Sequence, residues 1–331
     1  MPTAFSYAVK FLVAIAFCFA TTQAPAAGFR FIEVPADADG PALHGAIWYP
    51  CSEPPREIDL GNIAIPGVMD CPISGDKLPL VVVSHGRGGN FVGHHDTGET
   101  LADAGFVVAA INHPGSTTLD TSHIGDLSAL VERPTDIKRL IDFLLGASAA
   151  SNIDAQRIGF FGFSLGGSTG LVAIGANPDW AIPICQRSAA APGCEQILRR
   201  EFRVEPLSHD PRIKTAVIAD PFSDFFAGDS FASVKVPVQL WASERGGDGV
   251  TPQSVAAVDA NLPPKHEYHV VPNSAHFAFL PPCQPVLANN RPELCTDAPG
   301  FDRAAFHKQF DADVLAFFGT HLVKIRDDNH R

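Results

Sequence analysis

The segment GFSLG at residues 162–166 has the spacing G-x-S-x-G and places Ser164 between two glycines. A serine hydroxyl becomes a nucleophile when a neighbouring base removes its proton. Glycine two residues before and after the serine allows a sharp turn from a strand into a helix, with the hydroxyl exposed on the turn. Because the pattern is short, its meaning depends on the elements around it.

The residues on both sides of Ser164 fit such a turn. RIGFFGF (157–163) has the apolar character of a buried strand, and LGGSTGLVAIGA (165–176) is a run of small residues that fits a helix packed closely on a sheet. The amino end of that helix would face negative charge developing beside the serine. This context favours a nucleophile over a serine in an ordinary glycine-rich turn.

A serine nucleophile needs a base, and His276 is the best candidate among 13 histidines. It follows the last apolar strand pattern, where the chain order serine, acid, histidine places the base. The alternative is a structural histidine packed among neighbouring phenylalanines. His266 and His269 lie within the preceding strand pattern and are weaker candidates.

Two aspartates could orient this histidine. Asp220 ends the strand pattern KTAVIAD, and Asp248 follows the next strand pattern in a glycine-rich segment. Either carboxylate could hold the imidazole and stabilise its protonated form. Each also suits a plain turn. The pattern alone slightly favours Asp248, and both candidates stay open.

The segment SHGRGGN at residues 84–90 follows another apolar strand pattern. The main chain of such a histidine-glycine loop can point N–H groups at an oxyanion. We therefore predict that the backbone amides of Arg87 and Leu165 are the two donors. The Arg87 side chain is either solvated, which is the commoner case, or available to an acidic group of a substrate.

Apolar, β-branched segments alternate with helical patterns along the chain. The strand patterns are residues 43–50, 78–86, 105–114, 157–164, 214–221, 236–243 and 266–273. One helix is predicted to begin at Thr135 or Asp136, and a later helix, patterned by Phe306, Phe310, Val314 and Phe317, is predicted to end at Gly319. The alternation predicts right-handed crossovers and one doubly wound, mostly parallel α/β sheet. With no repeat or long linker, residues 27–331 are expected to form a single domain.

Residues 180–210 depart from this alternation and are predicted to form a small cap insertion. Outside the first 26 residues, the cysteines fall into local pairs, which we expect to be disulfides. The pairs are Cys51–Cys71, Cys185–Cys194 and Cys283–Cys295. No C-x-x-C occurs, which disfavours a metal site, and no cofactor is expected.

Residues 1–26 have the features of an export signal. Lys10 precedes a short apolar run, and APA (24–26) fits a cleavage site. The run is about half of the roughly 20 residues that span a bilayer. We therefore expect a periplasmic or secreted protein without stable membrane insertion. The net charge of −12 disfavours nucleic acid as a partner.

The segments SHGRGGN, GFFGFSLGGSTG and NSAHFAFL together resemble the secreted bacterial proteins called predicted dienelactone hydrolases. These are similar to the platelet-activating-factor acetylhydrolases, serine esterases of the α/β-hydrolase fold. The resemblance covers roughly residues 40–320. It implies the α/β-hydrolase fold, Ser164 as nucleophile, His276 as base, and the Arg87 and Leu165 amides as oxyanion donors.

The resemblance also bears on the acid. In the acetylhydrolases the acid follows the strand after the elbow helix, in a context similar to Ile218-Ala219-Asp220, which favours Asp220 and keeps Asp248 as the alternative. Dienelactone hydrolases use a cysteine nucleophile where Ser164 stands, so we do not expect dienelactone as the substrate.

These features predict two-step acyl transfer on a small-molecule ester. Phe222, Phe225, Phe226 and Phe231 either line an apolar acyl pocket or pack in the core. The alternatives are a non-catalytic binding protein on the same fold, or a peptidase or amidase. The sequence gives no indication of the ester, its acyl length or the oligomeric state.

Overall fold

The structure is a computed structural model that describes residues 26–61, 63–146, 152–180, 196 and 207–323. The predicted export signal lies outside the described residues except for its last residue. Most of the predicted cap insertion, including Cys185 and Cys194, also lies outside them. Both segments therefore stay predictions.

The described residues contain one mixed sheet of ten strands. The strands are β1 (Ala26–Val34), β2 (Leu43–Cys51), β3 (Arg56–Asp59), β4 (Ala64–Met69), β5 (Leu78–Ser84), β6 (Val107–Ile111), β7 (Ile153–Phe163), β8 (Ile213–Ala219), β9 (Val238–Ser243) and β10 (His266–Val271). Their order is β10-β9-β8-β7-β5-β6-β2-β1-β4-β3. From β10 to β6 every neighbouring pair is parallel. The predicted α/β class with a mostly parallel sheet is confirmed.

Helices follow the strands and cover the sheet. Numbered over the described residues, they are α1 (His95–Asp103), α2 (Ala129–Gly146), α3 (Leu165–Ala173), α4 (Pro252–Asn261), α5 (Pro285–Asn290), α6 (Pro292–Cys295) and α7 (Arg303–Phe318). Short 3₁₀ turns cover Gly228–Phe231 and His276–Phe279, and Gly319–Val323 forms a π-helical turn. No helix in the described part of the chain is long and apolar enough to cross a membrane.

The central strands are buried on both faces, as parallel strands between helical layers are. Successive side chains of a strand point to opposite faces. Phe160 therefore joins one hydrophobic core, which includes Ile137 and Leu140 of α2, whereas Phe161 joins the other, which includes Phe310 of α7. This explains why these strand patterns are continuously apolar.

The prediction for the start of α2 was wrong. The helix begins at Ala129, ahead of Thr135, and contains Pro134. Proline normally marks a helix start because it disfavours helical geometry in the preceding residue. Here Leu130 and Arg133 are both buried, and their packing holds the first turn in helical form. The last helix ends at Phe318, next to Gly319, as predicted.

Two of the three predicted local disulfides are present. Cys51–Cys71 joins the end of β2 to the residues after β4, and Cys283–Cys295 closes the segment that carries α5 and α6. Disulfides persist in oxidising compartments, so these bonds suggest that the protein resides outside the cytoplasm.

Candidate active site

Ser164 forms the turn between β7 and α3. Its backbone has φ 55° and ψ −120°, a conformation that costs about 1–3 kcal/mol for a residue other than glycine. Three backbone hydrogen bonds hold it there. The Ser164 N–H donates to the Ala219 carbonyl at 3.0 Å, and the Ser164 carbonyl accepts from Ser168 at 3.2 Å and from Phe222 at 3.1 Å. The turn is fixed by the sheet on one side and by the next loop on the other.

The two glycines of the motif allow a close approach of backbones. A Cβ on Gly162 would overlap the Gly166 carbonyl, and a Cβ on Gly166 would overlap the carbonyl of Ser84 at the end of β5. The G-x-S-x-G spacing therefore reflects a steric requirement of this turn, because α3 must start directly against β5 and β7.

His276 lies between Ser164 and Asp220. Its Nε2 is 3.0 Å from Ser164 Oγ, and its Nδ1 is 2.6 Å from Asp220 Oδ2. The ring stacks on Phe163 with centroids 4.6 Å apart, and the His276 N–H donates to the Gly246 carbonyl at 2.9 Å. His276 and Asp220 are both fully buried. Three contacts therefore fix the imidazole: the stacking on Phe163, the backbone hydrogen bond to Gly246 and the hydrogen bond from Nδ1 to Asp220.

Asp220 directly follows β8 and has a positive φ of 42°. Besides His276, its carboxylate accepts hydrogen bonds from the Ser243 N–H and the Ser243 hydroxyl, both at 2.8 Å. Three donors on an ionised carboxylate keep it oriented. Such an acceptor at Nδ1 favours the tautomer whose Nε2 lone pair faces Ser164 Oγ.

Asp248 pairs with Arg87 and not with His276. Its Oδ1 is 2.7 Å from the NH2 nitrogen of Arg87, and each of these side chains is 32% exposed. Of the two candidate acids, the structure therefore brings Asp220 to His276 and leaves Asp248 paired with an arginine. Sequence could not separate them because they follow the adjacent strands β8 and β9.

Residues 84–90, hereafter the oxyanion loop, pack directly against the serine. A Cβ on Gly86 would lie 3.2 Å from Ser164 Cβ. The Leu165 N–H is at the amino end of α3, where amides have no partner inside the helix. Among the described residues, neither this amide nor that of Arg87 has a hydrogen-bond acceptor. Both predicted donors therefore remain free to bind an oxyanion.

A cavity of about 230 Å³ adjoins Ser164. Its lining is mostly apolar and includes Leu127, Leu130, Leu165, Phe222 and Phe225, with Arg87, Asp126 and Asp248 as the charged members. Phe226 instead stacks on Phe231 in the core, with centroids 5.8 Å apart. Of the four phenylalanines singled out by sequence, two line the cavity and two pack in the core.

Gln196 is the one described residue between residues 181 and 206 of the predicted cap. Its amide accepts from the Leu127 N–H at 2.9 Å and donates to Asp126 Oδ1 at 2.7 Å. Both partners line the cavity. This contact joins the predicted cap segment to the wall of the site.

Sequence analysis missed Ser243 and two leucines of the cavity, Leu127 and Leu130. Ser243 ends β9, directly beside the end of β8. Parallel strands present their carboxyl ends at one edge of a sheet. The position of Ser243 at the end of the strand that follows β8 in sequence was therefore the signal that could have placed it near Asp220. Leu127 and Leu130 precede the predicted start of α2, so the incorrect boundary hid them.

Comparison with known proteins gives matches of two kinds, to a family model and to solved structures. A family model described as platelet-activating factor acetylhydrolase, isoform II, matches residues 56–143. The structure is similar to that of a ferulic acid esterase from Streptomyces cinnamoneus, with a TM-score of 0.64, 19% sequence identity and 92% of each chain covered. A search of curated proteins found no match.

The structural likeness extends over nearly the whole chain and defines the fold as that of the α/β-hydrolases. The family match covers β3 to most of α2, including Arg87, and ends before Ser164. Together with the fold, this match supports an esterase-type α/β-hydrolase.

Proposed function

We propose that this protein is a serine hydrolase that cleaves carboxylic esters through Ser164, His276 and Asp220. The observation that carries the proposal is the continuous chain of hydrogen bonds from Ser164 Oγ through His276 to Asp220. The chain starts at a strand-to-helix turn and adjoins a cavity. The likeness to two kinds of esterase is the second support.

In the first step, Ser164 Oγ attacks the ester carbonyl carbon while His276 Nε2 takes the hydroxyl proton. Asp220 stabilises the imidazolium that forms. The carbonyl oxygen becomes an oxyanion, and the free amides of Arg87 and Leu165 donate to it.

The tetrahedral intermediate then collapses. His276 gives its proton to the alkoxy oxygen of the leaving group, the bond from this oxygen to the carbonyl carbon breaks, and the alcohol leaves. The oxyanion becomes a carbonyl again, and the acyl group stays on Ser164 as an ester. A water molecule attacks this acyl-enzyme while His276 again takes a proton. The second collapse releases the carboxylic acid and returns the proton to Ser164 Oγ.

The cavity supports an apolar group of modest size next to the reacting carbonyl. Its apolar wall includes Phe222 and Phe225. Burial of each methylene against such a wall contributes about 0.8 kcal/mol. The names of the two relatives give two acyl groups to test first, acetyl and feruloyl.

We also propose that the protein is exported and acts on small-molecule esters. The signal-like residues 1–26 and the disulfides support export to the periplasm or beyond. A single hydrolase domain over residues 27–331, with residues 180–210 as its cap, agrees with the contact between Gln196 and the cavity wall. Neither nucleic acid nor a membrane-inserted state is part of this proposal.

The test is labelling with a fluorophosphonate followed by turnover of p-nitrophenyl esters of increasing acyl length. Wild type is expected to be labelled and to hydrolyse esters, and Ser164→Ala to do neither. Ser116→Ala is the matched control, because this serine is buried and its hydroxyl has no hydrogen-bond partner in the part of the chain that the structure describes. A folded wild type that takes up no probe and cleaves no ester would favour a binding protein on this fold.

A further inference from the structure

A buried arginine of α2 binds the main chain of the oxyanion loop. Arg133 of α2 is 1% exposed, and its NH2 nitrogen donates to the His85 carbonyl at 2.7 Å. The same nitrogen lies 3.1 Å from His85 Nδ1. Among the described residues, Arg133 has no hydrogen-bond partner outside the oxyanion loop.

The His85 ring holds the next carbonyl of the loop. Its Nε2 accepts from the His113 N–H at 3.3 Å, so the ring proton resides on Nδ1. Nδ1 then donates to the Gly86 carbonyl at 2.7 Å. Burial, with the positive charge of Arg133, holds the pKa of His85 well below its usual value, so the ring is neutral.

These contacts determine the direction of the Arg87 amide. In a planar trans peptide the C=O and the following N–H point in opposite directions, and no peptide bond among the described residues is cis. The Gly86 carbonyl is held by the His85 ring and by the Gly89 N–H at 3.2 Å. The Arg87 N–H, on the same peptide, must therefore point away from the His85 ring.

We propose that Arg133 and His85 are positioning residues that aim the Arg87 amide at the oxyanion formed on the Ser164 ester. Arg133 fixes the carbonyl of His85, and the His85 ring fixes the carbonyl of Gly86. Two successive peptides are thereby held before substrate binds. This inference rests on the proposed ester hydrolysis.

The unsatisfied hydrogen-bond donors of the Arg133 guanidinium support a functional role for this side chain. Its Nε and NH1 nitrogens are buried and have no hydrogen-bond partner among the described residues. Burial lowers the pKa of this guanidinium to about 9, although the charge of Asp136 opposes the shift. A buried cation is weak evidence for stability, since a well-packed apolar side chain often serves as well. The contacts that this cation does make are with the oxyanion loop.

A second hydrogen-bonded series of serine, histidine and aspartate begins at Ser84, the first residue of the oxyanion loop, and connects this loop to α2. Ser84 Oγ is 2.9 Å from His113 Nε2, and His113 Nδ1 is 2.9 Å from Asp136 Oδ2. All three side chains are buried and none lines the cavity. This series connects the ends of β5 and β6 to α2, three residues from Arg133.

The test compares Arg133→Met with Arg139→Met in the full chain. Arg139 is on the same helix and equally buried, but its NH2 nitrogen donates to the carbonyls of Pro35, Gly40 and Pro41. Arg133→Met is expected to lower kcat about 10–100-fold, less than the loss of a whole oxyanion donor, with KM within about twofold. Arg139→Met is expected to lower the Tm and to leave kcat unchanged.

A trifluoromethyl ketone adds a readout that loss of stability alone does not change. It forms a tetrahedral oxyanion on the serine, so its affinity for Arg133→Met should fall by the same factor as kcat. Activity is expressed per site titrated with fluorophosphonate, so unfolded protein does not count. If Arg133→Met does not fold, Arg133→Gln retains one amide donor and should show a smaller fall in the same direction.

The outcomes separate this inference from the proposed function. A wild type without esterase activity would refute both the proposed function and the positioning role. An active wild type, with kcat and inhibitor affinity unchanged in Arg133→Met or Arg133→Gln, would overturn the positioning role and leave the esterase intact. Equal falls in Arg133→Met and Arg139→Met would also overturn it, because general loosening of α2 would then explain the result.

Discussion

Arg87 and Asp248 form an ion pair in the wall of the cavity, with the guanidinium NH2 nitrogen 2.7 Å from Asp248 Oδ1. In the proposed mechanism the backbone amide of Arg87 binds the oxyanion, whereas its side chain pairs with an aspartate on another loop. Asp248 is therefore better understood as a determinant of the cavity's charge than as the triad acid.

Replacing Asp248 should change substrate preference. Asp248→Asn releases the Arg87 guanidinium, so an acyl group that ends in a carboxylate gains a partner. A partly exposed pair of this kind is worth about 0.2–1 kcal/mol. We expect kcat/KM for p-nitrophenyl hemisuccinate to rise about two- to fivefold relative to p-nitrophenyl butyrate.

Asp126→Asn controls for the net charge of the cavity, because Asp126 lines the same wall but bonds to Gln196. An equal gain in both variants would indicate a general field effect, and the pairing argument would then fail. Adding Arg87→Gln to Asp248→Asn should abolish the gain.

Replacing Asp220 should stop turnover without unfolding the protein. Asp220→Asn presents an amide N–H₂ to His276 Nδ1 and favours the wrong tautomer, which lowers kcat by about 10³–10⁴-fold. Asp248→Asn should retain kcat for neutral esters within about twofold, since this carboxylate does not contact His276. Measuring kcat for both variants with one neutral ester tests the assignment. A larger loss in Asp248→Asn would reverse it.

Enlarging the cavity should change acyl-length preference. Phe225→Ala removes a ring from the wall, so longer acyl chains should gain relative to acetyl in a p-nitrophenyl ester series. Phe226→Ala is the matched control, because this ring packs on Phe231 in the core. It should destabilise the protein by about 3–5 kcal/mol and leave the preference unchanged. An identical profile in Phe225→Ala and wild type would exclude Phe225 from the acyl pocket.

Asp311 should make stability depend on pH. Burial raises its pKa to about 7, and the neighbouring charge of Asp96 adds to the shift. Between about pH 4 and pH 7 the unfolded chain is ionised at this position while the folded protein keeps its proton, so the free energy of unfolding falls as pH rises.

Asp311→Asn keeps an acceptor for the Thr97 hydroxyl, which is 2.6 Å from Asp311 Oδ1, and removes the titration. Urea unfolding of this variant should show a shallower fall of stability from pH 4 to pH 7 than wild type. Asp313→Asn, two residues along the same helix, is the control. If the slopes of Asp311→Asn and wild type agree, Asp311 ionises normally in the folded state.

The sequence predicted seven of the ten described strands, β2 and β5 to β10, and the candidate nucleophile, because these leave local patterns. It missed β1, β3 and β4, which lie beyond β2 at one side of the sheet. Residues 78–83 of β5 and 158–163 of β7 are continuously apolar since they are buried on both faces, and the glycines around Ser164 are required by nearby backbones. The choice between Asp220 and Asp248 depends on which strand end lies beside His276, and no local pattern encodes that distance.

The start of α2 and the role of Arg133 were missed for a related reason. Pro134 indicates a helix start locally, but burial of Leu130 and Arg133 extends the helix toward the site. An arginine next to a proline in sequence carries no sign that its guanidinium reaches the His85 carbonyl. Such information resides in packing between distant segments.

The positive φ of Ser164 has an evolutionary consequence. Glycine adopts this conformation without a steric penalty, so Ser164→Gly would relieve the turn while removing the hydroxyl. A descendant released from selection for hydrolysis would gain stability by that replacement. Serine at this positive-φ position is therefore expected to persist only while its hydroxyl is under selection, and its loss in a descendant would date the conversion of this fold to another use.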